Sequence, residues 1–145
     1  MGRAKVLVEQ TVRAPLDVVF DRITDHEAMS DWPGVGSSKL VVEGEPRNGV
    51  GAVREVRSNG LALQEKVVLF ERPHRYHYTI IKGLPVEHLG TVSLEQRGDG
   101  VHIEWKVRLS SKIPLLAQIV GFALQRGLPG ALRHFAKQTE AAAAN

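Results

Sequence analysis

The chain has 145 residues, a net charge of +3, 43% hydrophobic residues, 24% charged residues and no cysteine. This length and composition predict one folded domain, residues 1–145, with a hydrophobic core of its own. The absence of cysteine excludes disulfides, thiolate chemistry and cysteine-based zinc or iron–sulfur sites. The basic residues are scattered rather than grouped in a stripe, which argues against nucleic acid as a partner.

No segment of the sequence has the pattern of a membrane span or of a signal peptide. Residues 1–5 run straight into a strand-like pattern and have no apolar signal core. The longest apolar stretch, residues 113–124, is about half of the ~20 residues that a membrane span needs. We therefore expect a cytoplasmic protein, a monomer or a homodimer.

The first elements are a strand and two short helices. Residues 4–13 alternate between apolar and polar side chains, as a half-buried strand does. Pro15 suits the first turn of a helix, and apolar residues follow it at helical spacing up to Ile23. Thr24 and Glu27 resemble a capping box, which predicts a second short helix that ends near residues 32–34.

From there the pattern changes to a period of two and predicts six further strands. Gly, Asn and Pro residues that favour turns separate the segments. Strands joined by such short turns are antiparallel. The predicted strands are residues 37–44, 51–58, 61–71, 74–82, 86–97 and 100–110.

The C-terminal helix, predicted from Pro114 onward, carries two apolar surfaces. In residues 115–124 apolar side chains cover roughly two-thirds of the circumference, more than packing on one sheet requires. The second half carries a narrower stripe, rotated from the first, that includes Phe135. Pro129 lies between the two surfaces, so we expect a bend at residues 127–129.

The broad apolar arc on the first half of this helix must contact something besides the sheet. One interpretation is packing under loops or against a second copy of the chain. The other is a cavity entrance or a lip that contacts a membrane transiently. The order of elements predicts an α+β fold in which a curved seven-stranded antiparallel sheet wraps a long, kinked C-terminal helix.

Three polar side chains fall on strand faces that are otherwise apolar: Arg54, Glu65 and His88. Burying a charge alone is costly, so each needs a partner. If residues 51–58 and 61–71 form a hairpin, Arg54 and Glu65 lie on adjacent strands and form an ion pair. That pair either closes a wet corner of the core or anchors a ligand hydroxyl, carbonyl or carboxylate at the base of a cavity.

Several aromatic residues are candidates for the walls of such a cavity. Tyr76 and Tyr78 share a face with Ile80, and Trp105 lies on the inward face of the last strand. Trp32 and Trp105 also suit a plain hydrophobic core, and His88 suits either a satisfied core histidine or a ligand contact.

The sequence contains no motif that predicts a metal, a cofactor or a catalytic set. His74 and His77 have an odd spacing, which on a strand places the two rings on opposite faces. No dinucleotide-binding loop, P-loop or nucleophile elbow occurs. We therefore predict no cofactor.

Several short motifs occur in a recognisable order and spacing: Ala14-Pro15, Trp32-Pro33-Gly34, residues 50–54, Glu65, Arg72-Pro73 and the long terminal helix. Through them the chain resembles the START-like superfamily, also called SRPBCC, over nearly its whole length. It implies a Bet v 1-like helix-grip fold with a cavity between sheet and helix. Members of this superfamily, among them polyketide cyclase/dehydrase and lipid transport proteins, bind lipids, sterols, polyketides, hormones or quinones.

A fainter resemblance to plant abscisic acid receptors implies a mobile gate at Ser58-Asn59-Gly60-Leu61, with their inward acid at Glu65. Ala62 departs from the pattern, since those receptors have proline there. No catalytic residue set is shared across the superfamily, so none is carried over.

These observations predict a protein that binds a hydrophobic small molecule, such as a lipid, polyketide or isoprenoid, as carrier or sensor. The segments 58–62 and 83–86 would flank the entrance. One alternative is a cyclase or dehydratase in which Arg54, Glu65, Tyr78 or His88 transfers protons. Another is a quinone-binding or toxin-like interaction module. The predicted ligand-binding residues are Arg54, Glu65, Tyr78, His88, Trp32 and Trp105.

Overall fold

The computed structural model describes residues 2–144, which form one curved antiparallel sheet, two short helices and a long C-terminal helix. The predicted helix-grip architecture is confirmed. The helices are α1 (Leu16–Ile23), a 3₁₀ helix (Glu27–Asp31) and α2 (Leu116–Ala144). The strands are β1 (Gly2–Val12), β2 (Ser37–Val42), β3 (Val53–Ser58), β4 (Leu61–Glu71), β5 (Arg75–Lys82), β6 (Glu87–Arg97) and β7 (Gly100–Ser111).

The strands follow the order β1-β7-β6-β5-β4-β3-β2, so the first strand pairs with the last and every other pair is a hairpin neighbour. The turn between β3 and β4 fixes the register of the strand pair that carries Arg54 and Glu65. Asn59 and Gly60 have φ angles of 53° and 81°, as a two-residue turn of type I′ requires. The pairing then continues without a shift and places Arg54 directly opposite Glu65.

The hydrophobic core lies between the concave face of the sheet, α1 and α2. Helix α1 buries Val19, Phe20 and Ile23, because these residues share one helical face. The Phe20 ring meets the Phe70 ring of β4 edge to face, with 5.2 Å between centroids. Helix α1 thereby closes one end of the concave face.

Helix α2 packs mainly on β1 and, to a smaller extent, on β7. Its buried residues form one stripe along its whole length: Ala117, Gly121, Ala131, Leu132, Phe135, Ala136 and Thr139. A Cβ atom on Gly121 would lie 2.8 Å from the Cβ of Ala4, so a small residue is needed for this close approach. None of the helices described for residues 2–144 combines the length and the apolar character needed to cross a membrane.

The first half of α2 carries the broad apolar arc expected from the sequence, and the sheet covers only part of it. Ala117 and Gly121 are buried, whereas Ile119 and Phe122 on the same half are exposed. The helix continues through Pro129 without interruption. The bend at residues 127–129 stays a prediction.

Helix α2 also covers the free edge of β1. The Gln125 side chain accepts a hydrogen bond from the backbone N–H of Leu7 at 3.4 Å and donates one to its carbonyl at 3.2 Å. Farther along the edge, Glu140 accepts a hydrogen bond from the N–H of Arg13 at 2.8 Å. An uncovered edge strand invites pairing with another chain, and these side chains occupy its exposed backbone groups.

The expected capping box at Thr24 and Glu27 is wrong. The Thr24 hydroxyl instead donates to the Phe20 carbonyl at 2.8 Å and closes the end of α1. The Glu27 carboxylate reaches the Arg47 guanidinium at 3.1 Å. The second short helix is present as a 3₁₀ helix of five residues without a side-chain cap.

Candidate ligand-binding site

The six predicted site residues form one connected cluster on the concave side of the sheet. Their exposure ranges from 2% for Arg54 to 13% for the Glu65 side chain. The cluster consists of Arg54 on β3, Glu65 on β4, Tyr78 on β5, His88 on β6, Trp105 on β7 and Trp32 after the 3₁₀ helix.

The centre of the cluster is the Arg54 guanidinium. Its Nε donates to Glu65 Oε1 at 2.7 Å, and its Nη1 lies 2.9 Å from Met29 Sδ. The guanidinium carbon also lies 4.6 Å from the centre of the Tyr78 ring, within range of a cation–π contact. Burial by itself lowers the pKa of Arg54, but the Glu65 carboxylate and the nearby tyrosines more than offset this and raise it. Arg54 is therefore a permanent buried cation with one carboxylate partner.

His26 is a member of the cluster that the sequence did not indicate. Its ring is fully buried, and Nε2 donates to the Asn48 carbonyl at 2.9 Å. Nδ1 is then free to accept a hydrogen bond from Arg54 Nη1 at 3.2 Å. Burial, followed by the charge of Arg54, lowers the pKa of His26 to about 3. The ring is therefore neutral and orients the guanidinium.

Aromatic rings fill the space beside the ion pair. The Trp105 Nε1–H donates to the Tyr78 hydroxyl at 2.9 Å. The Tyr78 ring covers Gly90, its partner across the β5–β6 pair, where a Cβ atom would overlap the ring. The Trp32 ring packs between those of Trp105 and Phe135, with centroid distances of 5.9 Å and 5.7 Å. Burial raises the pKa of Tyr78, so its phenol stays protonated.

His88 has a clear structural role. Paired residues of β5 and β6 extend only as far as Tyr78 and Gly90. Beyond that point the Ile80 N–H donates to His88 Nδ1 at 3.3 Å, and the Thr79 hydroxyl donates to the His88 carbonyl at 2.6 Å. Side chains thus replace part of the ladder where the two strands separate. Burial lowers the pKa of His88, which agrees with a ring nitrogen that accepts a hydrogen bond.

Tyr76 contributes a polar atom that lacks a partner. The residue is fully buried, and its hydroxyl has no partner at hydrogen-bond geometry within residues 2–144, although the Arg54 guanidinium lies near enough to oppose the rise in the pKa of Tyr76 that burial causes. Its ring lies 5.8 Å from that of Tyr78 and 6.2 Å from that of His26, measured between centroids. An unsatisfied buried hydroxyl costs about 1–3 kcal/mol. The sequence placed Tyr76 on the inner face, but nothing in it showed that the hydroxyl would be unpaired.

An apolar strip leads from the ion pair toward the β3–β4 turn. Val56 and Leu63 are paired across these strands and partly exposed, and Leu61 at the turn is exposed. Ile80 lies opposite Glu65 and is also partly exposed. Since α2 packs mainly on β1 and β7, this part of the concave face is partly open to solvent.

The Arg54–Glu65 pair is more closely packed than the sequence pattern indicated. We expected Arg54 and Glu65 to point into a hollow, but neutral side chains and aromatic rings surround the guanidinium. Two surface depressions, of about 330 Å³ and 370 Å³, include neither member of the pair. The first lies between residues 84–87 and 110–113, and the second is lined in part by Trp32. The apolar strip is therefore the side from which Glu65, the partly exposed member of the pair, faces solvent.

The two segments expected to flank an entrance, 58–62 and 83–86, contact each other. Gly83 has a φ of 110° and lies so close to β4 that a Cβ atom would overlap the Ala62 carbonyl oxygen. The Ser58 hydroxyl donates to the Gly34 carbonyl and fixes the other side of the turn. The movement of these segments as a gate stays a prediction.

A comparison with protein families identifies the family of the chain. The model of the family described as polyketide cyclase/dehydrase and lipid transport matches residues 3–144. The chain belongs to this family. The predicted START-like resemblance is thereby confirmed.

Solved structures show the same fold for this family member. A protein from Thermus thermophilus has a TM-score of 0.77 at 19% identity, over 96% of this chain and 99% of the other. Ara h 8.0201 has a TM-score of 0.74 at 20% identity, over 95% and 98% of the two chains. The protein XoxI from Bacillus cereus has a TM-score of 0.75 at 18% identity, over 94% and 95%. A comparison with curated proteins gives no match.

One group of side chains within residues 2–144 has donor atoms close enough to share a metal ion, and it lies away from the cluster. Glu9, His102 and Glu104 bring one donor atom each to within 4.8 Å of one another. His102 Nε2 already lies 3.0 Å from Glu9, and Glu104 lies 3.1 Å from Lys106. These strand positions alternate with the inward-facing ones, so the group takes no part in the candidate site.

Proposed function

We propose that this family member binds a hydrophobic small molecule with one polar group, such as a lipid, polyketide or isoprenoid, as a carrier or sensor. The observation that carries the proposal is the buried Arg54–Glu65 pair at the inner end of a partly exposed apolar strip. Apolar walls that converge on a few polar groups are the usual form of a small-molecule site. The family description, which includes lipid transport, supports the same class of ligand.

The charges in the cluster favour a neutral polar group on the ligand. Glu65 neutralises Arg54, and His26 is uncharged near pH 7 because its pKa is about 3. A carboxylate would find no unpaired cation there, and burying it would be costly. A hydroxyl could donate to the second oxygen of Glu65, and a carbonyl could accept from the Tyr76 hydroxyl. The proposed ligand is therefore an apolar alcohol or ketone.

Native mass spectrometry of freshly purified protein tests the proposal by looking for a co-purified apolar compound. Val56→Trp would fill the strip and should abolish that adduct. Val41→Trp is the matched control, because Val41 is an exposed residue of β2 outside the strip. An adduct that survives Val56→Trp, or a wild-type protein that takes up no apolar alcohol or ketone, would show that the strip is not the binding site.

The arrangement also supports a second candidate, a cyclase or dehydratase. The observation that favours it is a partly exposed carboxylate, Glu65, in the same cluster as phenols that burial keeps protonated, Tyr76 and Tyr78. A base and an acid held close together suit proton transfer. Glu65→Gln separates the candidates through turnover. A carrier should have no turnover before or after the change and should keep most of its affinity. An enzyme should keep its affinity but lose the turnover that the wild-type protein shows. The cytoplasmic location and the monomeric or homodimeric state remain parts of this proposal.

A further inference from the structure

Large apolar side chains at the start of α2 face solvent. Leu115, Ile119 and Phe122 are 64%, 62% and 65% exposed. Ile119 and Phe122 are three residues apart on α2 and therefore lie on one side of it, away from the buried stripe that contains Ala117 and Gly121, while Leu115 directly precedes the helix. Exposed apolar patches of this kind mark sites that contact another molecule or a membrane.

The backbone at Leu115 supports a role for this side. Leu115 has a φ of 66°, a left-handed conformation that residues with a side chain rarely adopt. Such strain persists where the surrounding structure imposes it, and it is common at functional positions. The Leu115 side chain is exposed in this conformation, and so is that of Ile113, two residues earlier in the chain.

The charged residues along this part of the chain are all basic. Between Glu104 and Glu140 the sequence contains no aspartate or glutamate. The Arg126 guanidinium lies 5.7 Å from the centre of the exposed Phe122 ring. The nearby acid is Glu87, which lines a depression together with Lys112 and Ile113. The basic residues of this segment are Lys106, Arg108, Lys112, Arg126, Arg133 and Lys137.

We propose that Ile113, Leu115, Ile119 and Phe122 form a docking surface for an anionic lipid membrane. We call these four residues the apolar lip. Apolar side chains of an interfacial helix insert into the boundary of the bilayer, while adjacent Lys and Arg side chains contact the headgroups. The lip meets both requirements.

A second copy of the chain is the other occupant that an apolar face could take, and the charges disfavour it. In a two-fold symmetric dimer the same patch meets itself. Lys112 and Arg126 of one copy would then lie near those of the other, and opposed like charges weaken an interface. An anionic membrane offers the opposite charge.

The lip lies beside the depression between residues 84–87 and 110–113. Docking would bring residues 83–86, one of the two segments expected to flank a cavity entrance, close to the lipid surface. The docking surface nevertheless rests on its own observations, so a failure of ligand binding would leave it standing.

A tryptophan in the lip gives a direct test. Trp32 and Trp105 are 5% and 2% exposed, so neither should respond to vesicles. Phe122→Trp should show a blue-shifted emission with vesicles of equimolar phosphatidylcholine and phosphatidylglycerol, and the shift should vanish at high salt. Val41→Trp is the control, because Val41 is 47% exposed and lies on β2, at the edge of the sheet opposite β1, on which α2 packs. It should show no shift.

Co-sedimentation with the same vesicles measures the affinity without an added tryptophan. Phe122→Gln should weaken binding about tenfold, from the loss of one large apolar side chain. Arg126→Gln should weaken it about fivefold, and only when phosphatidylglycerol is present. Equal binding to pure phosphatidylcholine vesicles, or no binding to either kind, would overturn the proposal. A dimer in light scattering that Phe122→Gln converts to a monomer would assign the lip to a second copy instead.

Discussion

His26 should make the folded protein sensitive to mild acid. Its ring is neutral in the fold because burial and the Arg54 charge lower its pKa to about 3. An unfolded chain restores the ordinary value of about 6.5. Between these two values the unfolded state binds a proton that the folded state does not, so the free energy of unfolding falls as pH falls.

The size of the effect follows from the two pKa values. From neutral pH down to pH 5, protonation of the unfolded chain at His26 lowers the free energy of unfolding by about 2 kcal/mol. The loss is about 4 kcal/mol at pH 3 and approaches about 5 kcal/mol below it, from about 1.4 kcal/mol per unit of pKa difference. The charged groups near His26 are Arg54 and Arg47, and both oppose its protonation. The lowered pKa of His88 acts in the same direction.

Urea unfolding at several pH values between 7 and 5 measures this effect through Trp32 and Trp105 fluorescence. His26→Gln should flatten the dependence of the unfolding free energy on pH by close to one proton, whatever its own stability. His74→Gln is the control, because His74 is exposed and the wild-type slope should remain. If His26→Gln does not fold, an NMR titration of the wild-type rings replaces it. A His26 resonance that titrates near pH 6.5 would refute the reasoning.

Three further substitutions test the packing of the cluster. Arg54→Met should lower the free energy of unfolding by about 3–5 kcal/mol, because it leaves the Glu65 carboxylate buried without its partner, and urea unfolding measures this. Gly90→Ala should cost about 1–3 kcal/mol because the added methyl group displaces the Tyr78 ring, and near-ultraviolet circular dichroism should lose aromatic signal. Gly83→Ala should separate the two entrance segments, and hydrogen exchange of their amides should become faster.

Two of these substitutions, Arg54→Met and Gly83→Ala, have a matched control elsewhere in the chain. For the ion pair it is Arg72→Met, since Arg72 and Asp21 also lie 2.7 Å apart but are half-exposed, and breaking an exposed pair costs about 0–1 kcal/mol. For Gly83 it is Gly98→Ala, which has a positive φ of 62° and open space around it. Equal effects of Gly83→Ala and Gly98→Ala would mean that backbone strain, not the contact between segments, decides the outcome. An Arg54→Met variant as stable as Arg72→Met would contradict the buried-pair argument.

The strands could be predicted from the sequence because their signal is local. Alternation of apolar and polar residues sets which side chains face inward, and Asn59-Gly60 sets the register between β3 and β4. These two facts are enough to place Arg54 opposite Glu65. Helix α2 was harder, because its buried face is built from small residues such as Ala117 and Gly121. In the first half of the helix, apolar size therefore does not separate the buried side from the exposed one.

The polar members of the site could be predicted only where they lie on strands. Arg54, Glu65 and His88 stood out as polar residues at inward positions. His26 precedes a short 3₁₀ helix, where no period marks the buried side, so its contact with Arg54 could not be foreseen. The same limit applies to the packing density around Arg54, because the rings that crowd it come from separate elements.

The cluster combines a buried ion pair with a neutral histidine, and this combination has a consequence for binding. Arg54 shares its hydrogen bonds among Glu65, His26 and Met29, so no ligand is needed to hold its charge in the core. Glu65 uses one carboxylate oxygen, Oε1, for Arg54 and leaves the second as an acceptor, and among residues 2–144 the Tyr76 hydroxyl is a buried donor without a partner. The proposed ligand would gain most by satisfying these two atoms, so we expect its polar group to be a hydroxyl or a carbonyl rather than an anion. Comparing the affinities of an apolar alcohol, its ketone and its carboxylic acid of equal chain length would test this order directly.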